Sequence, residues 1–290
     1  MAEDKGPRAT APADRDDGAS LPLAGRTALV TGVSRPKGIG FAVARRLARM
    51  GASVVVHHFA PHDALQPWGG ADLDTVRAGI RSELADGAAF GDIHADLAED
   101  RASEALIGEA AAVTGRLDIL VCNQALSGSD GTILEMTPEK LERHWRVNAR
   151  SSLLMTRYFA DRFVWTGDEH DTGRVVWFTS GQLHGPMRDE VAYAASKAAL
   201  AGVVPSVAAE LADRGILLNA VNPGPVNTGY LDAETTDRPD ALAGIRAAFP
   251  LGRFGEPDDP ARLIAWLVGP EGRWVTGEVW STDGGFRLRG

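Results

Sequence analysis

Short apolar runs alternate with longer segments of helical periodicity along most of the chain. Each apolar run has the length of a buried strand, and each segment between them repeats apolar residues at the spacing of an amphipathic helix. The predicted strands are 27–32, 53–57, 92–94, 117–122, 174–178 and 216–221, and the predicted helices are 41–50, 73–84, 102–112, 138–161 and 191–212. Such alternation predicts an α/β fold with a doubly wound, Rossmann-like parallel sheet.

Composition indicates how many domains the chain forms. Its 290 residues, 44% of them hydrophobic, suffice for the core of one large α/β domain. The first residues are rich in Ala, Pro and Asp and lack the apolar core of a secretory signal. We therefore expect a disordered tail at 1–22 and a single domain at 23–290.

Charge and cysteine content exclude several classes of partner. The formal net charge of −9 argues against binding to nucleic acids or anionic membranes. A single cysteine, Cys122, permits no intramolecular disulfide, which favours a reducing compartment and a cytoplasmic protein. We also expect no apolar run of membrane-spanning length.

The segment 191–200 contains a tyrosine and a lysine, Tyr193 and Lys197, at a spacing of four. On a helix this spacing places both side chains on one face. A nearby ammonium favours the phenolate and so lowers the pKa of a tyrosine toward the range of a general acid or base. A helix with one surface Tyr and one surface Lys is the alternative interpretation.

A glycine-rich loop, 31–40, follows the first predicted strand and precedes the first predicted helix. In that position glycines let the backbone approach a pyrophosphate, and the helix N-terminus favours negative charge. We therefore expect a dinucleotide, although a tight turn without a ligand has the same pattern.

The residues around the second predicted strand indicate which dinucleotide is bound. No carboxylate occurs at 56–60 to bond the adenosine ribose, whereas Arg35 and Lys37 add positive charge to the glycine loop. This combination favours NADP(H) over NAD(H). His57 and His58 face opposite sides of a strand, so we expect no metal site.

From about residue 25 to 286, the chain contains a series of motifs that resembles, in identity and order, that of the short-chain dehydrogenase/reductase family. They comprise the Thr-Gly loop, Asp96, the run 121–125, Asn148, Ser180, the Tyr193/Lys197 pair, the run 222–228 and the final strand at 275–285. Each motif alone is modest, but the ordered set is specific.

The resemblance implies a reaction and a role for each catalytic residue. Tyr193 is the general acid or base in hydride transfer between the cofactor and a carbonyl or alcohol. Lys197 lowers the pKa of Tyr193 and holds the nicotinamide ribose. Ser180, thirteen positions before the tyrosine, binds the substrate oxygen, and Asn148 holds a water that supplies protons.

The resemblance also implies a set of cofactor contacts, with Asp96 at the adenine and Val226 and Thr228 at the carboxamide. The full expected set is Gly32, Ser34, Arg35, Lys37, Gly38, Ile39, His58, Asp96, Leu97, Asn123, Gln124, Tyr193, Lys197, Pro223, Gly224, Val226 and Thr228.

The sequence departs from the family pattern in three places. Five residues rather than three separate Gly32 from Gly38, so the loop must bulge. Cys122 replaces the first Asn of the family's Asn-Asn-Ala-Gly, and we interpret it as a structural residue. The stretch 61–70 is an insertion beside the expected adenosine phosphate, where it affects cofactor choice or an oligomer contact.

The substrate is expected to be a small-molecule ketone or aldehyde, since a charge of −9 suggests no basic docking patch for an acyl carrier protein. Segments 125–130, 181–187 and a flexible lid at 229–250 are expected to form its pocket. The candidate substrate contacts are Leu126, Gln182, His184, Met187 and Tyr230.

Two other functions fit the same fold. One is a non-catalytic dinucleotide-binding or sensing protein, consistent with the bulged loop. The other is a dehydratase, epimerase or enoyl reductase, although the enoyl-reductase branch spaces its tyrosine and lysine more widely than four. The resemblance further implies a homotetramer packed through helices 138–161 and 191–212.

Overall fold

A single parallel sheet forms the centre of the computed structural model, which describes residues 21–236 and 239–289. Its strands are β1 (Thr27–Val30), β2 (Ser53–His58), β3 (Phe90–His94), β4 (Ile119–Cys122), β5 (Gly173–Phe178), β6 (Ile216–Asn222) and β7 (Val279–Ser281). All neighbouring pairs are parallel, in the order β3-β2-β1-β4-β5-β6-β7. The prediction of a doubly wound α/β fold is therefore confirmed.

Apart from Thr27 and Arg174 near their starts, the middle strands are apolar because helices cover both faces of the sheet. Every residue of β1, β4 and β5 is buried. Val30 and Ile264 belong to the apolar layer on one face, and Leu120, Phe159 and Trp177 to the layer on the other. Parallel strands covered in this way have continuous apolar runs rather than alternating ones, which is the pattern in the sequence.

Nine α-helices connect the strands or extend from their ends in the described part of the chain. They are α1 (Ile39–Arg49), α2 (Ala60–Ala64), α3 (Leu73–Arg81), α4 (Ala102–Ala112), α5 (Pro138–His144), α6 (Ser151–Arg162), α7 (Val191–Ala212), α8 (Leu242–Ala248) and α9 (Asp258–Val268). The bounds of α4 and α7 are those predicted from periodicity.

The predicted helix 138–161 is continuous but irregular in its middle. Thr137 starts it by accepting a hydrogen bond from the Lys140 amide at 3.3 Å, and Pro138 occupies the first turn, where its missing N–H costs nothing. Trp145–Arg150 form a π-helical stretch between α5 and α6. Asn148 lies within it, and such π-turns occur often at functional sites.

Three helices were not predicted from the sequence, and one of them, α2, lies in the insertion that follows β2. α8 lies inside the expected lid, and α9 packs against α1 with Ile264 and Leu267 buried. Pro257 and Pro260 bracket the start of α9, where proline is compatible with a helix because the first N–H groups need no partner.

The predicted tail, 1–22, lies outside the described residues except for Leu21 and Pro22. Leu23, the first residue of the predicted domain, is buried with the core. The last strand, β7, is shorter than the predicted 275–285.

Helix α7 corrects one expectation about membranes. By length and composition it could cross a bilayer, although we expected no run of that kind. It packs instead against β6 and carries the buried side chains of Ser196 and Lys197. Packing against the sheet accounts for the apolar residues on its buried face.

Candidate active site

A cavity of about 1270 Å³ opens at the carboxyl ends of the strands, near the neighbouring strands β1 and β4, where the strand order changes direction. In open α/β sheets this change of strand order is where ligands bind. Most of the predicted site residues line it. Those are Gly32, Ser34, Arg35, Gly38, Ile39, Asp96, Leu97, Asn123, Gln124, Leu126, Ser180, Met187, Tyr193, Lys197, Pro223, Gly224, Val226, Thr228 and Tyr230.

Two predicted cofactor residues do not line the cavity. Lys37 is half exposed and pairs with Asp232 of the lid. His58 is buried on the other side of β2, where its Nε2 lies 3.3 Å from a carboxylate oxygen of Asp92.

Two predicted substrate residues also lie outside the cavity lining. His184 is exposed and its Nε2 lies 2.9 Å from Ser281 Oγ. Gln182 is half-buried, and its amide atoms have no partner among the described residues.

The glycine loop is packed too closely for side chains at two positions. Gly32 has φ +69°, and a Cβ there would lie 2.9 Å from Asn123 Nδ2. A Cβ at Gly40 would lie 2.8 Å from the Gly32 carbonyl oxygen. Gly38, which precedes α1, supplies no side-chain cap, so the first N–H groups of the helix remain available to an anion. The loop therefore fits the pyrophosphate of a dinucleotide.

His57, rather than His58, supports this loop. Its Nδ1 accepts a hydrogen bond from the Gly32 amide at 3.3 Å, and its Nε2 lies 3.0 Å from the Ala95 carbonyl. Burial lowers the pKa of His57 to about 4, so the imidazole is neutral. A neutral ring with Nε2–H donating satisfies both contacts. The sequence contained no signal for this role.

Arg35 joins three parts of the cavity wall. Its Nε lies 2.7 Å from Asp63 Oδ1, and one terminal nitrogen donates to the Thr228 carbonyl at 2.6 Å. Its guanidinium also lies over the Trp68 ring, 5.1 Å from the centroid. Burial lowers the pKa of Arg35, with Asp63 opposing that shift.

The insertion at 61–70 therefore forms part of the cavity. Helix α2 and the turn after it bring Leu65, Gln66 and Trp68 into the wall. Trp68 meets Tyr230 of the lid edge-on, with ring centroids 6.4 Å apart. The insertion thus spans from the glycine loop to the lid, which its sequence did not indicate.

Tyr193 and Lys197 lie on one face of α7, with Ser180 just beyond β5. Lys197 is fully buried and its Nζ donates to the Phe178 carbonyl at 2.9 Å. The same Nζ lies 5.8 Å from the centroid of the Tyr193 ring. Ser180 is hydrogen-bonded to Tyr193 through its side chain, so the three groups meet at one end of the cavity.

Burial shifts the pKa values of Tyr193 and Lys197, and the shift of Tyr193 is opposite to the one expected. Burial raises the pKa of Tyr193 to about 12, and the hydrogen bond with Ser180 opposes that rise without cancelling it. Burial also lowers the pKa of Lys197 to about 8. We expected Lys197 to lower the pKa of Tyr193, but desolvation, the largest cause of the shift, raises it. Tyr193 therefore keeps its proton at neutral pH, as a general acid requires.

Asn148 is completely buried behind the cavity. Its Oδ1 accepts from the Leu126 amide at 2.6 Å, and its Nδ2 donates to Ser196 Oγ at 3.0 Å. Ser196 Oγ in turn donates to the Tyr193 carbonyl at 2.7 Å. Asn148 thus connects the loop after β4 to α7 by side-chain contacts.

Asp130 fixes the start of α7, although sequence analysis did not identify this role. Its carboxylate accepts hydrogen bonds from the backbone amides of Ala192 at 2.9 Å and Tyr193 at 2.7 Å. Glu190, the residue before the helix, makes no side-chain cap of its own. Asp130 therefore acts as the N-cap of α7, although it lies more than sixty positions before the helix in sequence.

His144 lies beside this carboxylate and beside Tyr193. Its Nε2 is 3.8 Å from Asp130 Oδ2 and 3.2 Å from the Gly128 carbonyl, and its ring meets Tyr193 edge-on at 6.3 Å. Burial lowers the pKa of His144, so a neutral ring packs behind the tyrosine.

Cys122 lies at the end of β4 and is completely buried. Burial raises the pKa of its thiol to about 12, which is incompatible with a thiolate nucleophile at neutral pH. Among residues 21–236 and 239–289, no group of three His, Cys, Asp or Glu side chains is arranged to hold a metal ion.

Comparison with known proteins identifies the class of enzyme. The model of the family described as Enoyl-(Acyl carrier protein) reductase matches residues 32–287. The chain is 35% identical over 266 residues to "Uncharacterized oxidoreductase YjdA" of Bacillus subtilis, covering 91% of this chain and 98% of that one. It is 33% identical to the "NADPH-dependent aldehyde reductase-like protein, chloroplastic" of Arabidopsis thaliana, with 92% and 96% covered.

A solved structure agrees with these relatives. The angucycline C-6 ketoreductase LanV with bound NADP superposes with a TM-score of 0.77 at 29% identity, covering 93% of this chain and 98% of that one. The chain belongs to the short-chain dehydrogenase/reductase family. It is therefore an oxidoreductase acting on CH–OH or C=O groups, in a family that binds a nicotinamide dinucleotide.

Proposed function

We propose that this protein is an NADP(H)-dependent reductase of a small-molecule ketone or aldehyde, or the dehydrogenase that oxidises the matching secondary alcohol. The observation that carries the proposal is the meeting of Ser180, Tyr193 and Lys197 in one cavity with a glycine cradle. The Tyr193 phenol can donate a proton, the Ser180 hydroxyl can donate a hydrogen bond, and the Lys197 ammonium supplies positive charge. Together they suit a carbonyl oxygen that gains negative charge as hydride arrives.

The dinucleotide, when bound, supplies the hydride for reduction and accepts it in oxidation. Tyr193, which holds its proton at neutral pH, donates that proton to the carbonyl oxygen. Ser180 donates a hydrogen bond to the same oxygen and stabilises its developing charge. Lys197, below its pKa of about 8, supplies positive charge next to Tyr193 and favours the phenolate that proton donation leaves.

The proposal of NADP(H) rests on charge. The residues at the end of β2 include no carboxylate to repel a ribose phosphate, and Arg35 lines the same part of the cavity. Two relatives are consistent with this choice, since one is named for NADPH and the other contains NADP. Arg35 is paired with Asp63, so a ribose phosphate would either share the Arg35 guanidinium with Asp63 or displace Asp63 from it.

The proposed substrate is largely apolar apart from its carbonyl group. Leu126, Met187 and Tyr230 line the same cavity as Tyr193, and the insertion adds Leu65 and Trp68. Cavities of this kind select by shape and apolar contact, with a few polar groups setting orientation.

Enoyl reduction is the second candidate, because the matching family model carries that description. The spacing of four between Tyr193 and Lys197 and the position of Ser180 favour carbonyl reduction instead. An α,β-unsaturated ketone distinguishes the two reactions, because a carbonyl reductase reduces its C=O bond and an enoyl reductase reduces its C=C bond.

The experiment incubates the purified chain with NADPH or NADH and a panel of ketones, aldehydes and α,β-unsaturated ketones. We expect alcohols from the simple carbonyls and an allylic alcohol from the unsaturated ketones, with NADPH preferred. A saturated ketone as product would support enoyl reduction. Tight cofactor binding with no product from any compound would support a sensing protein.

A further inference from the structure

A second cavity, of about 410 Å³, lies at the opposite edge of the sheet, where the strands begin. Arg26 directly precedes β1, and Arg174 is the second residue of β5. Arg116 and Arg273 also line this cavity. Four arginines therefore surround one small space in a chain whose net charge is −9.

Arg174 is buried without a counter-ion. Its side chain is 3% exposed, and one terminal nitrogen donates to the neutral oxygens of Thr172 and Gly173. Its Nε is buried and has no partner among the described residues. Burial, together with the positive charges of Arg26 and Arg273, lowers the pKa of Arg174 to about 10. A buried guanidinium in this state is stabilised by an anion.

Arg26 is in a similar position. Its terminal nitrogen donates to the Thr172 carbonyl at 2.5 Å, and its Nε is likewise buried and unpartnered in the described structure. Burial lowers the pKa of Arg26 as well, although the negative charges of Asp118 and Asp171 oppose that shift.

The carboxylates beside this cavity are already engaged. Asp118 lies 2.5 Å from Arg116 and also accepts the Thr27 amide at 2.8 Å. Asp171 lies 3.1 Å from Arg116. Within the described chain, Arg26, Arg174 and Arg273 form no ion pair, so the cavity keeps an excess of positive charge.

We propose that this cavity binds a phosphate dianion. Guanidinium groups donate two parallel hydrogen bonds to phosphate oxygens, and Nε is one of the two donors in that geometry. All four arginines line the cavity, and the Nε atoms of Arg26 and Arg174 are donors that no other described group uses. The volume exceeds that of inorganic phosphate, so the ligand is either free phosphate or the phosphate group of a small ester. The site lies away from the glycine cradle and is separate from the dinucleotide site.

The test measures thermal unfolding and equilibrium binding of the full chain in potassium phosphate against potassium chloride of equal ionic strength. Phosphate is expected to raise the Tm of the unmodified chain. Arg273→Gln, an exposed change, is expected to weaken phosphate binding about tenfold, and Arg174→Met to abolish it. The matched control is Arg81→Gln, an exposed arginine on α3, which is expected to bind phosphate normally.

Glycerol 3-phosphate in the same assay identifies the source of the phosphate. Tighter binding than inorganic phosphate assigns the site to an ester, and weaker binding assigns it to the free ion. Both results support a phosphate site.

Two results would overturn the proposal. One is stabilisation by phosphate no greater than by chloride. The other is equal phosphate binding in the unmodified chain, Arg273→Gln and Arg174→Met, which would place the ion elsewhere, for example in the glycine cradle.

Discussion

Lys197 shows how one buried residue couples stability to function. Its ammonium lies in the core with the Phe178 carbonyl as hydrogen-bond acceptor, and burial lowers its pKa from 10.5 to about 8. Each unit of pKa difference corresponds to about 1.4 kcal/mol, so holding this charge inside the fold costs on the order of 3 kcal/mol at neutral pH.

Lys197→Met is therefore expected to stabilise the fold while abolishing turnover. Between pH 8 and 10.5 the unfolded chain binds more protons at this lysine than the folded chain, so this residue makes stability rise with pH in that window. The variant lacks this rise. Urea unfolding at several pH values measures the difference, which is expected to be largest below pH 8 and to vanish above 10.5. A stability difference that does not change with pH would contradict the assignment.

The ion pair between Arg35 and Asp63 is expected to limit the affinity for NADPH. Asp63→Asn preserves the shape of the side chain but removes its charge, which leaves the guanidinium of Arg35 available to a ribose phosphate. We expect NADPH to bind about threefold to tenfold more tightly to this variant, and about tenfold more weakly to Arg35→Ala. NADH serves as the control and is expected to change little in either variant. Parallel changes for both cofactors in a fluorescence titration would contradict a phosphate contact at Arg35.

At the scale of elements, the start of α7 depends on a residue from another loop. Asp130→Asn leaves one of the two amides of Ala192 and Tyr193 facing an NH₂ group instead of an acceptor. Losing an N-cap costs about 1 kcal/mol, and an unsatisfied buried amide adds about 1–3 kcal/mol.

We expect Asp130→Asn to lower the free energy of unfolding by about 2 kcal/mol and to lower kcat because Tyr193 moves, with little effect on NADPH affinity. Asp86→Asn, in an exposed loop, is the control and is expected to match the unmodified chain. Normal kcat in Asp130→Asn would show that the cap does not position Tyr193.

The elements also show what the sequence can and cannot predict. Strands and α7 follow directly from apolar pattern, and Gly32, Ser180, Tyr193 and Lys197 follow from motifs of fixed spacing. Asp130 and Asp63 could not be identified in this way, since their partners lie far away in sequence or in another loop. Short-range patterns contain no information about which loops meet.

At the scale of the whole molecule, α7 is apolar on more than its buried face. Val203 on α7 and Leu141 and Trp145 on the helix 138–162 are large apolar side chains exposed to solvent. We propose that these helices pack against other copies of the chain in a homotetramer. Sedimentation at micromolar concentration is expected to show four copies.

Val203→Asp is expected to break this assembly, because a desolvated charge at an apolar interface is unfavourable. Val164→Asp, at an exposed position outside both helices, is the control and is expected to leave it intact. A monomer of the unmodified chain would contradict the tetramer.

Carbonyl reduction in this cavity requires Tyr193 as the proton donor. The most direct measurement compares NADPH-dependent turnover and NADPH affinity in the unmodified chain and Tyr193→Phe, which removes only the hydroxyl. We predict that turnover falls by about a thousandfold or more while the affinity for NADPH changes by less than about threefold. Turnover retained within about tenfold in Tyr193→Phe would contradict the assignment of Tyr193 and the mechanism built on it.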